Sequence, residues 1–209
     1  MNIGIIGTGK MGKGLGRVWA KRGHAVFFGS RDPERALRLG ESLGVMSSGG
    51  TVAQAAKFGS VVLLAVRWND IPAALDSAGS LAGKILIDCT NPMNSDWTQL
   101  VEGHTTSGAE QIAALVPEAK VVKAFNHIYA DIIHSSPYFG AQNASVFYCG
   151  DDFEAKESVA CLIEDAGFEP VDAGCLRNAR YLEPIAEQMV QFAYVIGMGT
   201  DQALKIIRR

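Results

Sequence analysis

The opening of the chain constrains its fold more than any other stretch. An apolar run, Asn2-Ile3-Gly4-Ile5-Ile6, leads directly into Gly7-Thr8-Gly9-Lys10-Met11-Gly12. The run has the β-branched content of a buried strand, and residues 10–21 have the length and apolar spacing of a helix. The glycines therefore fall at a strand-to-helix turn.

Read as G-x-G-x-x-G, Gly7 permits a tight turn, Gly9 lets the backbone approach a pyrophosphate, and Gly12 lets the helix pack closely on the strand. The helix N-terminus, with Thr8, Lys10 and Met11 around it, then offers unpaired N–H groups and a positive dipole end to phosphates. A glycine-rich turn without a ligand is the plainer alternative, and the flanking strand and helix weigh against it. The next strand, residues 25–28, should end on an acid if the ligand were NAD. It is followed instead by Ser30 and Arg31. A guanidinium pairs with a 2′-phosphate dianion, to which Thr8 and Ser30 add neutral donors, so the pattern points to NADP(H). Asp32, just before Pro33, reads as a helix N-cap.

Composition excludes other classes. With 209 residues, 48% hydrophobic and 20% charged, the chain suits a well-buried α/β protein and not a disordered one. A net charge of −3 gives no reason to expect nucleic acid or an anionic membrane as partner. No apolar run approaches a membrane span and the N-terminal strand is not a signal peptide, so a cytoplasmic protein is expected. Cys89, Cys149, Cys161 and Cys175 lack C-x-x-C spacing and read as small buried or half-buried residues in a reducing compartment. The histidines, His24, His104, His127 and His134, lack ligand spacing, and no metal is expected.

Further strands are predicted at 61–66, 85–88, 121–125, 145–149 and 169–172, and helices at 33–43, 52–57, 71–78, 108–115 and 153–166. This alternation is that of a doubly wound, mostly parallel Rossmann-type sheet. Strand signals stop after Asp172, and 178–196 reads as one long helix. Ile185, Met189, Phe192, Ala193 and Ile196 form its stripe, and Val190, Tyr194 and Val195 add apolar area elsewhere. A dinucleotide-binding domain over 1–174 is thus expected to be followed by a helical segment, 175–209, that closes the pocket and contacts a second copy in a homodimer.

Ligands of open α/β sheets sit beyond the carboxyl ends of the strands. Val66, Asn91, Pro92 and Asn126 fall there and are candidates to border ribose and nicotinamide. His127 is a candidate general acid or a packed strand-end residue, and Trp68 a stacking platform or a core aromatic. Asn126 and His127 are the candidate catalytic positions, for positioning more than for proton transfer. No hydrolytic signature is present. Hydride transfer between a nicotinamide and a flavin-like ring needs alignment and exclusion of water more than a side-chain acid.

The succession GTGKMG, GSRDPERA, VVLLAV, IDCTNPM, VVKAFN, DAGFEPVDAG and LRNARYLEP resembles the NADPH-dependent deazaflavin (coenzyme F-420) reductase family over essentially the whole chain. The resemblance implies NADP(H) held by Gly7, Thr8, Gly9, Met11, Ser30 and Arg31, reversible hydride transfer to a deazaflavin, and a homodimer. Related motifs occur in the cytosolic domain of membrane-bound ferric reductases, which pass hydride to a flavin. Two other readings stand beside it: a reductase of small carbonyl or imine substrates, and a non-catalytic NADPH-binding sensor.

Overall fold

In the computed structural model, which describes residues 1–96 and 98–209, β1 (Asn2–Ile6) buries Ile3, Ile5 and Ile6 and lies in the interior of a sheet. Gly9 ends the turn that follows, and α1 (Lys10–Lys21) buries Leu15 and Trp19. The pattern continues through β2 (Ala25–Gly29), α2 (Pro33–Glu41), β3 (Ser47–Gly50), α3 (Val52–Phe58), β4 (Val61–Leu64), α4 (Ile71–Ala78), β5 (Ile85–Asp88), α5 (Gly108–Leu115) and β6 (Lys120–Lys123). A short α6 (Ala130–His134) and a two-stranded hairpin, β7 (Tyr138–Phe139) and β8 (Gln142–Asn143), lead into β9 (Ser145–Gly150), α7 (Phe153–Asp165), β10 (Glu169–Asp172) and α8 (Ala179–Val190).

The described residues place eight strands in one sheet, in the order β10-β9-β6-β5-β4-β1-β2-β3. Strands β1 to β6 run parallel in the 3-2-1-4-5-6 order of doubly wound dinucleotide folds. β9 joins β6 antiparallel, with Lys123 opposite Cys149, and β10 joins β9 in parallel. One face is covered by α1, α6 and α7 around Trp19, whose indole N–H donates to the Leu162 carbonyl at 2.9 Å. The other is covered by α3, α4, α5 and α8.

Several elements depart from the sequence expectation. β3, Ser-Ser-Gly-Gly, carries no strand signal; a Cβ at Gly49 would collide with the α2 backbone at Ala36, so α2 packs on this edge only over glycine. The strands expected at 61–66 and 121–125 stop at Leu64 and Lys123, where the chain turns into the loops of the carboxyl edge. The single helix expected over 178–196 is α8 followed by a wider π-helical turn, Gln191–Val195, closed by Gly197 at φ +82°. Along this segment Met189 and Ala193 are buried, whereas Tyr194, Val195 and Ile196 are exposed. The division expected between 174 and 175 falls in the connection from β10 to a 3-10 turn, Leu176–Asn178.

Candidate active site

The strand order reverses between β1 and β4, and the loops following both open into a crevice at that point. Two cavities share it. One, of about 400 Å³, is lined by Gly7, Thr8, Ser30, Arg31, Arg35 and Asp70. The other, of about 770 Å³, is lined by Lys10, Met11, Trp68, Asn91, Asn126, His127, Tyr129 and, from α8 and its extension, Met189, Val190 and Tyr194. Gly9, Ala65, Val66 and Arg67 border both.

The three motif glycines do different things. Gly7 sits at φ +121°, and a Cβ there would strike the Ala65 carbonyl. A Cβ at Gly12 would strike the Gly7 carbonyl, so α1 can press on the strand only through glycine. At Gly9 a Cβ would meet no protein atom within 4 Å; the room it would take belongs to the crevice. Gly9 also N-caps α1 with no side-chain cap bond and no acid in the first turn. The first amides of α1 are thereby left for an anion, and the cradle fits a pyrophosphate.

At the end of β2, the Asp32 carboxylate accepts the Arg35 amide at 3.0 Å, which makes it the N-cap of α2. Arg31 is 84% exposed in its side chain and reaches Asp70 at 3.2 Å. Arg35 was not singled out by the sequence reading, and Arg67 was given no role by it. Their signal is a cation one turn beyond Arg31 and another directly after a strand end.

On the other side of the crevice the ends of β5 and β6 are bolted together. Asn91 Nδ2 donates to the Asn126 carbonyl at 2.8 Å, and Asn126 Nδ2 donates to Asn91 Oδ1 at 3.0 Å and to the Leu182 carbonyl at 2.9 Å. Phe125 between Lys123 and these contacts adopts φ +64°, a left-handed conformation rare for an aromatic residue, and is fully buried against Trp19 and Phe168. His127 is 3% exposed, stacks on Phe147 at 4.9 Å, and has Nε2 3.3 Å from the Ser145 carbonyl. Burial lowers its pKa to about 4, so the ring is neutral at pH 7 and faces protein groups. Pro92 does not line either cavity: it is buried, and both it and Trp68 lie against Gly108. Trp68 is half-buried and lines the larger cavity and an adjoining hollow of about 190 Å³.

Beneath the larger cavity lies a charged cluster that the sequence reading missed. Lys123, Asp88 and Glu183 are each fully buried, with Lys123 Nζ 2.9 Å from Asp88 and 2.8 Å from Glu183. Burial works against the ammonium, and the two carboxylates outweigh it, holding the Lys123 pKa above its ordinary value. Asp88 closes the apolar run of β5 and Lys123 ends the neighbouring β6, and these charges at two adjacent strand ends were the available signal. Cys89 and Cys149 are buried thiols pushed up to about 12, while Cys161 and Cys175 are exposed, contrary to expectation. Among the described residues there is no cluster of three or more metal-binding side chains, and no helix is long and apolar enough to cross a membrane.

Residues 2–92 match the family of coenzyme F420-dependent NADP oxidoreductases. The F420-dependent NADP reductase of Methanothermobacter marburgensis is 30% identical over 206 residues, covering 91% of each chain. The metalloreductase STEAP3 of Rattus norvegicus is 36% identical over 183 residues, 88% of this chain; the chain spans only 36% of that relative's length. A crystal structure from Arthrobacter sp. FB24, assigned to the F420-dependent NADP reductases, superposes with a TM-score of 0.89 at 30% identity, covering both chains completely.

Proposed function

The chain belongs to the family of F420-dependent NADP reductases, and from that premise we propose that it carries hydride between NADP(H) and a deazaflavin, coenzyme F-420, or a flavin. The observation that carries this reading is the continuity of the two cavities through Gly9, Ala65, Val66 and Arg67. The smaller, with Ser30, Arg31 and Arg35, suits a phosphorylated adenosine half; the larger has apolar walls and two asparagines, and suits a nicotinamide with a planar acceptor beside it. When bound, the dinucleotide supplies the hydride. The protein's part is to hold its phosphates at the first turn of α1 through Thr8, Gly9, Lys10 and Met11, to pair the 2′-phosphate with Arg31, to border the ring with Val66, Asn91 and Asn126, and to exclude water.

His127 serves as a packed neutral support of Asn126, not as a proton donor. Residues 175–209 close the larger cavity from one side, and Tyr181, Tyr194, Val195, Ile196 and Met198 expose an apolar surface of the kind a homodimer covers. We place the protein in the cytoplasm, working without metal, membrane or nucleic acid.

Anaerobic stopped-flow absorbance with NADPH, offering coenzyme F-420, FMN and FAD in parallel, tests the reading. Reduction of the deazaflavin is the expected result, and reduction of FMN or FAD instead narrows the acceptor to a flavin. Tight NADPH binding with no turnover of any acceptor would overturn the enzymatic reading in favour of a sensor.

A further inference from the structure

The buried cluster under the larger cavity is larger than packing alone requires. Lys123 spends its three ammonium protons on Asp88 Oδ2 at 2.9 Å, the Thr90 carbonyl at 2.7 Å and Glu183 Oε1 at 2.8 Å. Asp88 Oδ1 receives the Thr90 amide at 2.8 Å and the Thr90 hydroxyl at 2.7 Å. Glu183 accepts the amides of Gly108 at 2.9 Å and Ala109 at 3.1 Å, the first turn of α5. Two carboxylates and one ammonium leave one excess negative charge, which the N-terminus of α5 offsets. A buried ion cluster seldom stabilises a fold more than apolar side chains of the same volume would. Its presence here calls for a role that leucines would not perform.

The bonds of the cluster end on the backbone of the candidate site. Both the amide and the carbonyl of Thr90 are held, so the turn entering Asn91 is fixed from both sides. Asn91 and Asn126 then lock to each other, and Asn126 is tied to the Leu182 carbonyl, the residue before Glu183. One turn of α8 therefore reaches the ends of both β5 and β6. The same helix supplies Ala186 and Met189 to the cavity wall, so the floor and the wall share one anchor.

We propose that Glu183, acting through Lys123, is a positioning residue that sets the Thr90–Asn91 turn and Asn126 to receive the nicotinamide half of the dinucleotide. This rests on the NADP(H) reading of the site. The adenosine half, at Gly9, Ser30 and Arg31, is built by other elements and does not depend on the cluster.

That separation supplies the test. Wild type and Glu183→Gln are titrated with 2′,5′-ADP, which probes the adenosine half, and with NADPH, whose nicotinamide fluorescence reports the surroundings of the ring. In a folded Glu183→Gln protein, 2′,5′-ADP affinity is expected to stay within about twofold while NADPH affinity falls about tenfold and its bound fluorescence moves toward that of free NADPH. The triple variant Asp88→Asn/Lys123→Met/Glu183→Met, free of buried charge, is expected to fold and to show the same split, which separates positioning from stability. Parallel losses for both ligands, no loss for either, or failure of both variants to fold would overturn the proposal. Wild type binding neither ligand would overturn the NADP(H) reading itself, and the positioning role with it.

Discussion

On the β1–β2 side of the crevice, the groups that face a ligand are backbone amides and solvated charged side chains; on the β5–β6 side, the charged groups face one another and buried protein groups around them. Arg31 is 84% exposed and held by a single contact at 3.2 Å, whereas Lys123, Asp88 and Glu183 are fully buried and fully bonded. The first arrangement binds by leaving valences open, and a ligand completes it. The second has no valence left, so it can act on a ligand only by fixing the atoms that do touch it. Substitutions on the two sides should therefore differ in kind: loss of affinity with the fold intact on one, loss of the fold or of fine geometry on the other.

The largest effect is expected from Lys123→Met. It strands two carboxylates in the interior, and breaking a buried pair in this way costs about 3–5 kcal/mol. Denaturant unfolding should show that loss, and adding Asp88→Asn and Glu183→Met should restore most of it. A single variant as stable as wild type would mean that the cluster is hydrated and that the contrast between the two sides is false.

His127 gives the next effect, through pH. Its folded pKa, about 4, lies below the ordinary 6.5 because burial disfavours the imidazolium. Between those values the unfolded chain binds the extra proton, so stability is fully present above pH 6.5 and is lost as pH falls toward 4, by up to about 1.4 kcal/mol per pH unit. Unfolding of wild type and His127→Gln at pH 7 and 4.5 should show the steeper loss in wild type. Equal slopes would show a ring that takes its proton while folded.

The two sides also differed in how far the sequence revealed them. Gly7, Gly9 and Gly12 lie within six residues, and Asp32 caps a helix that begins at the next residue, so local spacing carried their roles. The cluster joins residues 35 and 60 positions apart, Lys123 to Asp88 and to Glu183, and only the folded sheet brings them together. Pro92 illustrates the same limit: its position after a strand end was legible, but its burial near Gly108 was not. β3 was missed because the close approach of α2 required glycine where strand propensity asks for branched side chains. The π-helical turn after α8 was missed because apolar periodicity does not distinguish it from a continued helix.

Arg31→Ala tests the open side. A charge-assisted bond to phosphate contributes roughly 1.5–3 kcal/mol, but at this exposure screening reduces it, so NADPH affinity should fall about tenfold. NADH, lacking the 2′-phosphate, should bind almost as before. Equal losses for both would remove the 2′-phosphate from Arg31 and leave the dinucleotide preference to Arg35 or Ser30.

Asp70→Asn should have the smallest effect and the opposite sign. Its carboxylate lines the same cavity as Arg31 and takes that guanidinium for itself, an exposed pairing worth no more than about 1 kcal/mol. A 2′-phosphate entering the cavity has to displace Asp70 and then remain near it, so the carboxylate opposes NADPH twice. Neutralising it should tighten NADPH roughly two- to fivefold and leave NADH unchanged, with the gain shrinking at high salt, where the Debye length falls to about 3 Å. The gain should shrink in an Arg31→Ala background, where only the repulsion between carboxylate and phosphate remains, since residues that share one ligand do not act additively. A gain undiminished there would show that Asp70 does not act through Arg31, and the open side would then be governed by total charge and not by a specific pair.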